Sequence, residues 1–338
     1  MTGDIVLSVV ANLGRRPATP LRVFLLAAAI APSAVRPSAA DEGGASAWLP
    51  GQFASFAAVP GDPGFALETI YYRRTASASA SRTFNIGAKL AAGVDITEQY
   101  VFLTPSYTFA EPVLHGQLFV GATFAPGRMD SSVWASLTGP RGNGISGTQS
   151  DTMTGLGDIY PLVMLKWEVG PHNFMAYAMP TVPVGAYDPN RLAGLGIGHW
   201  AIDAGLGYTF LSQAGLELSL TAGLTQNFMN PYTQYQNGTD GHVDWGISYS
   251  PTDSFYFGAA GYFYNQIGSD SGPGATLGAF QSRVIGVGPQ AGYSFSLGGV
   301  AIDLGLRGYK EFDAVNRPEG WNVWVTLAVS RPRRPSGK

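Results

Sequence analysis

The sequence predicts an all-β protein: a transmembrane antiparallel up-and-down β-barrel of about 12 strands, with long extracellular loops and short periplasmic turns. Three observations predict it. In the stretch 214–228, Leu216, Leu218, Leu220, Ala222 and Leu224 alternate with Glu217, Ser219, Thr221, Gly223 and Thr225. A strand with that pattern has one apolar wall and one polar wall. The pattern recurs along most of the chain, in strands too long for an ordinary sandwich. Charged residues are only 13% of the 338, well below the roughly 25% of soluble domains, and no apolar run approaches the roughly 18 residues of a membrane-spanning helix. Closing the sheet leaves no lipid-exposed edge, with leucines in lipid and polar residues in a wet lumen.

Residues 1–40 read as a secretory signal. Arg15, Arg16 and Arg22 precede the short apolar run 23–31, and Ser38, Ala39 and Ala40 supply small residues before a cut at Asp41. A short N-terminal anchor is the alternative. Removal leaves 16 basic and 22 acidic residues, which gives no footprint for nucleic acid. Cysteine is absent, so disulfides and thiolate metal sites are excluded. Residues 41–63 form a periplasmic lead-in or a small plug, because Gln52–Val59 is a helical turn or two between Pro50-Gly51 and Pro60-Gly61. The barrel occupies 64–330, and 331–338 is a basic tail.

The connections alternate in length. Phe65–Thr75 rises into a long loop to about Asp95, and Glu98–Ala110 returns to a short turn at Glu111-Pro112. Gln117–Arg128 rises into the longest loop, 129–156, rich in Gly, Ser and Thr. Gly157–Glu168 returns to Val169-Gly170-Pro171, and His172–Gly185 rises to the loop 187–198. Trp200–Leu211 and Gly215–Phe228 flank a turn at Gln213. Gly241–Ser250 and Ser254–Ile267 flank Pro251-Thr252. Gln281–Ser296 and Val300–Lys310 flank Gly298-Gly299, and Gly320–Ser330 closes the barrel. Trp167, Trp200, Trp245, Tyr208, Phe210 and Trp321 fall near strand ends on the apolar face, where aromatic girdles sit.

Several motifs resemble a known family, the outer-membrane proteins of the meta-pathway phenol-degradation group. They are Gly155-Leu156-Gly157-Asp158, the run 183–188 ending in Tyr187-Asp188, the run 233–238 ending in Asn237-Gly238, Gly261-Tyr262 with Tyr264 and Gln266, Asp270-Ser271-Gly272, and Gly286 with Gly288-Pro289. Their order and spacing carry the resemblance over about 155–290, and Phe65–Gly127 fits more loosely. The resemblance implies a single barrel that acts as a transporter, often encoded beside enzymes of aromatic catabolism. The chain departs from the usual pattern of such barrels by not ending on an aromatic residue, which bears on recognition by the barrel-insertion machinery.

Strand phase places Tyr100, Phe102, Phe119, Asp158, Tyr160, Lys166, Asp203, Glu217, His242, Asp244, Tyr256, Tyr262, Tyr264, Arg283, Asp303, Arg307 and Trp324 inward. An Arg or Lys on the lipid face costs roughly 2–4 kcal/mol near the midplane, so charges belong inside. Asp203, Arg283, Asp303 and Arg307 either brace the lumen through ion pairs or act as an electrostatic filter. The filter would lie beside an aromatic lane of Tyr100, Tyr256, Tyr262 and Tyr264, with Phe102 and Glu217 in the same lumen. Phenol rings offer an apolar face and a polar tip, which suits a small aromatic solute. A catalytic reading rests on His242, Asp244 and Ser248 on one face, but steps of about 7 Å are too long for direct bonds. Asp188, Asp240 and Asp270 read as turn formers rather than metal ligands, and nothing calls for a cofactor. The expected function is passive passage of small, phenol-like molecules across the outer membrane, the expected partners being its lipid and the solute. The alternatives are an adhesive or structural barrel acting through its loops, or a barrel lipid hydrolase.

Overall fold

The computed structural model describes residues 46–83, 89–138, 142–275 and 281–332; the predicted leader and the tail beyond Pro332 lie outside them. Twelve strands follow in order: β1 (Gly64–Thr83), β2 (Lys89–Thr108), β3 (Gln117–Thr138), β4 (Gly144–Val169), β5 (His172–Thr181), β6 (Ala201–Leu211), β7 (Leu216–Asn227), β8 (Asp240–Thr252), β9 (Phe255–Gln266), β10 (Arg283–Leu297), β11 (Val300–Val315) and β12 (Glu319–Pro332). Each pairs with its neighbours in sequence, and β1 pairs antiparallel with β12 from Gly64↔Pro332 to Ser77↔Glu319, which closes the barrel. Closure gives every strand two partners and leaves no row of unpaired backbone groups.

The two walls of the alternation separate as expected. On β7, Glu217, Ser219, Thr221 and Thr225 are buried inside, while Leu216, Leu218, Leu220 and Leu224 are exposed outside. The outer surface carries Ile247, Leu304, Leu306, Val325 and Leu327, with Tyr249, Phe255, Phe257, Tyr293 and Phe295 toward the short-turn end. An apolar band edged by aromatics is the surface that a bilayer covers.

Three expectations change. The segments read as loops from residue 76 to about Asp95 and at 129–156 are largely strand, since β1 runs to Thr83, β2 starts at Lys89, β3 runs to Thr138 and β4 starts at Gly144. Strands need backbone pairing more than apolar side chains, so Ser-, Thr- and Gly-rich sequence extends a ladder where neither face needs lipid. β5 ends at Thr181 rather than Gly185, because Pro183 has no N–H to continue the ladder. Residues 50–51 and 55–58 form turns rather than a helix, with Gln52 N bonded to Leu49 O and Val59 N to Phe56 O.

The chain divides into two compact units. The described part of one, within Ser38–Ala78, Val94–Ser132 and Ser150–Lys338, holds the site described below. The described part of the other, within Ser79–Gly93 and Val133–Gln149, is strand tips in which Leu90 and Ala92 pack with Ala135 and Leu137.

Candidate functional site: an aromatic chamber beside the N-terminal segment

Residues 46–61 run along the inner wall, held by side chains of many strands. Gly51 N donates to Asp244 Oδ1 (2.9 Å), Phe56 N to Glu217 Oε1 (3.0 Å) and Ala58 N to Thr209 Oγ1 (3.2 Å). Lys166 Nζ donates to Val59 O (3.0 Å), Arg307 Nη2 to Gln52 O (3.1 Å) and Gln290 Nε2 to Ser55 Oγ (2.7 Å). Trp48 is fully buried and stacks on His242, with centroids 3.7 Å apart. Two glycines admit the segment. A Cβ on Gly246 would meet Ser55 N at 2.5 Å, and Gly51, at φ +85°, fits against the rings of Tyr262 and Tyr309. Phe56 adopts φ 64° without being glycine, a strained conformation over-determined by its contacts.

Beside the segment lies a cavity of about 410 Å³. Its wall carries Tyr72, Tyr100, Phe102, Phe119, Tyr160 and Trp324, and the segment contributes Phe53 and Phe56. The rings form a continuous surface: Tyr72 lies 4.7 Å from Trp324 and 6.0 Å from Phe102, and Tyr100 stacks on Phe102 at 5.4 Å. Charge is grouped. Arg74, buried, reaches Glu98 Oε2 (3.2 Å) and Glu311 Oε2 (3.4 Å). Arg307 lies over the Trp324 ring at 4.5 Å. A second cavity, about 480 Å³, opens among residues of the short-turn end, including Ser250, Asp253, Tyr256, Ser294 and Asp303. Phe56, Glu68, Arg307 and Ala328 line both cavities and form the partition between them.

The inward residues named from sequence fall into groups. Tyr100, Phe102 and Arg307 line the chamber. Tyr256 and Asp303 line the second cavity, Tyr256 edge-on to Phe56 at 5.0 Å. Glu217 is buried and saturated, accepting from Phe56 N, from Ser219 Oγ and from Ser248 Oγ (2.8 Å). Tyr262 and Tyr264 are fully buried and line neither cavity: Tyr262 donates to Glu311 Oε1 (3.0 Å), and Tyr264 lies under Arg317 at 4.8 Å. Arg283 pairs with Asp313 (3.1 Å) in an exposed position. Asp203 accepts from Thr225 Oγ1 (2.6 Å) and lies 3.1 Å from His242 Nε2. His242 Nδ1 comes within 3.5 Å of Asp244 Oδ2, an ion-pair distance closer than the strand step suggests, although neither atom makes a hydrogen bond. Side chains two apart on one face lean together and span what their Cα atoms do not. Ser248 is committed to Glu217 instead. Sequence reasoning missed Arg74, Glu98, Glu311 and Arg317. The signal for Arg74 was its phase with Tyr72, while Arg317, in a turn, has no phase to read.

A family model described as "Putative MetA-pathway of phenol degradation" matches residues 79–327. The chain belongs to this family. Among solved structures, an outer-membrane channel of Pseudomonas putida F1 is 14% identical, with a TM-score of 0.56 over 82% of this chain and 100% of that one; it shares the fold. A FadL homologue of Pseudomonas aeruginosa (11% identity, TM-score 0.41, 80% of this chain and 90% of that one) and the CymD monoaromatic hydrocarbon channel (8%, 0.37, 82% and 90%) are more distant. No curated protein matches.

The motifs that carry the family resemblance fasten its loops. Asp158 accepts Gly185 N on Oδ1 and Ile197 N on Oδ2, both at 2.8 Å, and so pins both ends of the connection 182–200 to β4. Asp270 accepts Tyr235 Oη (2.5 Å), Gly238 N (3.0 Å) and Gln266 Nε2 (2.5 Å), tying the β7–β8 and β9–β10 connections together. Arg191 grips Asp151 at 2.6 Å, and its hydrogen bonds hold that carboxyl well below the usual carboxylate range.

Proposed function

We propose that this chain is a passive outer-membrane channel for small aromatic molecules, with residues 46–63 as an internal plug that narrows the lumen to the aromatic chamber. The chamber carries this reading. Its volume lies within the roughly 300–1,000 Å³ of small-molecule sites, and it combines apolar rings with a few placed polar groups. Rings 4.7–6.5 Å apart let a solute ring touch the next aromatic before leaving the last, so no single contact becomes a trap. Tyr100, Phe102 and Arg307 are the residues of the predicted pathway that would touch it. The solute then passes Phe56 and Tyr256 into the second cavity. The family's link to phenol degradation and the channel fold of the Pseudomonas putida protein support the reading.

Flux into liposomes carrying the refolded protein tests it. Phenol is expected to enter faster than a sugar that a plain sieve would admit equally, and the double substitution Tyr100→Ala with Phe102→Ala should lower the phenol-to-sugar ratio. A ratio indifferent to both substitutions rejects the aromatic route.

A further inference from the structure

Arg317 sits in the turn between β11 and β12 and folds inward, where it lines the chamber and is more than nine-tenths buried. Its guanidinium lies over the Tyr264 ring at 4.8 Å. Among the described residues, Nε and Nη1 have no hydrogen-bond partner. Burying guanidinium donors without an acceptor is costly; Glu311 attracts the charge of Arg317 but accepts no hydrogen bond from it. Glu311 is spent: Oε1 accepts Tyr262 Oη, and Oε2 accepts Arg74 and Gly320 N (2.9 Å). Glu98 is held by Arg74. Arg307 keeps an unpartnered Nε, but its head is engaged with Gln52 O and Trp324. Four cations (Arg74, Lys166, Arg307, Arg317) face three carboxylates (Glu68, Glu98, Glu311) around the cavity, so the chamber has one positive charge in excess, and the cation whose Nε and Nη1 both lack a partner is Arg317.

We infer that Arg317 is an anion-recognition residue of the chamber, and that the chamber takes single-ring aromatic carboxylates in preference to neutral rings. The carboxylate accepts along one edge of the planar guanidinium, from Nη2 and the neighbouring Nε, while the ring lies on the aromatic wall of Tyr72, Tyr100 and Phe102. A carboxylate at that edge supplies the acceptor that Nε lacks, in a charge-assisted pair. The inference rests on the aromatic-channel reading and adds the solute's charge to it.

Titration calorimetry on the refolded full chain in detergent, with sodium benzoate and with benzyl alcohol, tests it. The wild-type protein should bind benzoate on the order of tenfold more tightly than benzyl alcohol. Arg317→Gln should bring that ratio close to one with benzyl alcohol binding unchanged, which also shows that the variant is folded. If Arg317→Gln binds neither ligand, Arg317→Lys decides, because it keeps the charge but loses the planar fork: selective weakening of benzoate supports the inference, and unchanged or equal weakening of both ligands overturns it. Equal wild-type affinities, or a preference that survives Arg317→Gln, overturn it too. Those results leave the phenol flux experiment standing, whereas a failed flux ratio with intact benzoate binding counts against the channel and not against the site.

Discussion

At the residue scale, the wall of β7 decides facing. Leu220 is exposed on the outer surface, between the inward Ser219 and Thr221. An Arg there loses roughly 2–4 kcal/mol of folding free energy in a bilayer if the position is near the midplane. Leu220→Phe should be nearly neutral, since lipid offers no fixed packing partner to violate. A refolding titration in vesicles that gives equal stability for Leu220→Arg and Leu220→Phe would show the facing to be reversed. Facing was legible from sequence because a period of two leaves only two choices, and one buried charge such as Glu217 settles a strand. What a buried residue touches was not legible. Tyr262 and Tyr264 share the phase of Tyr256, yet the N-terminal segment and Glu311 occupy the space that Tyr262 faces, and Arg317 lies over Tyr264. Phase gives a direction, not what lies along it.

At the element scale, the segment 46–63 shows what alternation cannot announce. Its own sequence is apolar and full of breakers, and its place along the wall depends on acceptors from distant strands: Asp244, Glu217 and Thr209. Only Gly246 hints at it beforehand, as a glycine on the inner face of a strand where a close backbone approach needs room. Gly246→Val forces side-chain atoms into the space of Ser55, whose N lies only 2.5 Å from where the new Cβ would stand. The segment should then be displaced, and single-channel conductance in a planar bilayer should rise above that of the wild-type protein. Conductance that stays the same or falls would mean that the segment does not set the width of the path. The same scale explains the missed strand tips. Apolar alternation reports lipid contact, and β1 to β4 continue through sequence that carries pairing without it.

At the scale of the whole molecule, the order of twelve strands was legible, because each turn carries Gly, Pro or Asp in its expected place and the connections 182–200, 228–239 and 267–282 are long where the turns between them are short. The side of the membrane each end faces follows from the rule that outer-membrane barrels keep short turns in the periplasm. Epitope tags at Gly142 and Gly272 should be reached by antibody on intact cells, and a tag at Gly298 only after the outer membrane is opened. Labelling at Gly298 alone would invert the barrel. Neither the chamber nor its excess charge was legible at this scale, since both arise where a turn, a plug segment and several strands converge without a sequence signature.

The contacts of the N-terminal segment also bear on how the barrel assembles. Phe56 reaches Glu217 across 161 residues and Gly51 reaches Asp244 across 193, so its partners exist only after β6 to β8 have been made. The wall seals when β1 finds β12, and β1 begins at Gly64, immediately after the segment. The amino-terminal end is therefore captured by the same event that completes the ring. Once the seam has zipped, the segment cannot slip out sideways between strands and can only be drawn along the axis. A molecule that zips first would have to thread it back through the open mouth, which makes the order of docking and sealing a kinetic choice written into the connectivity.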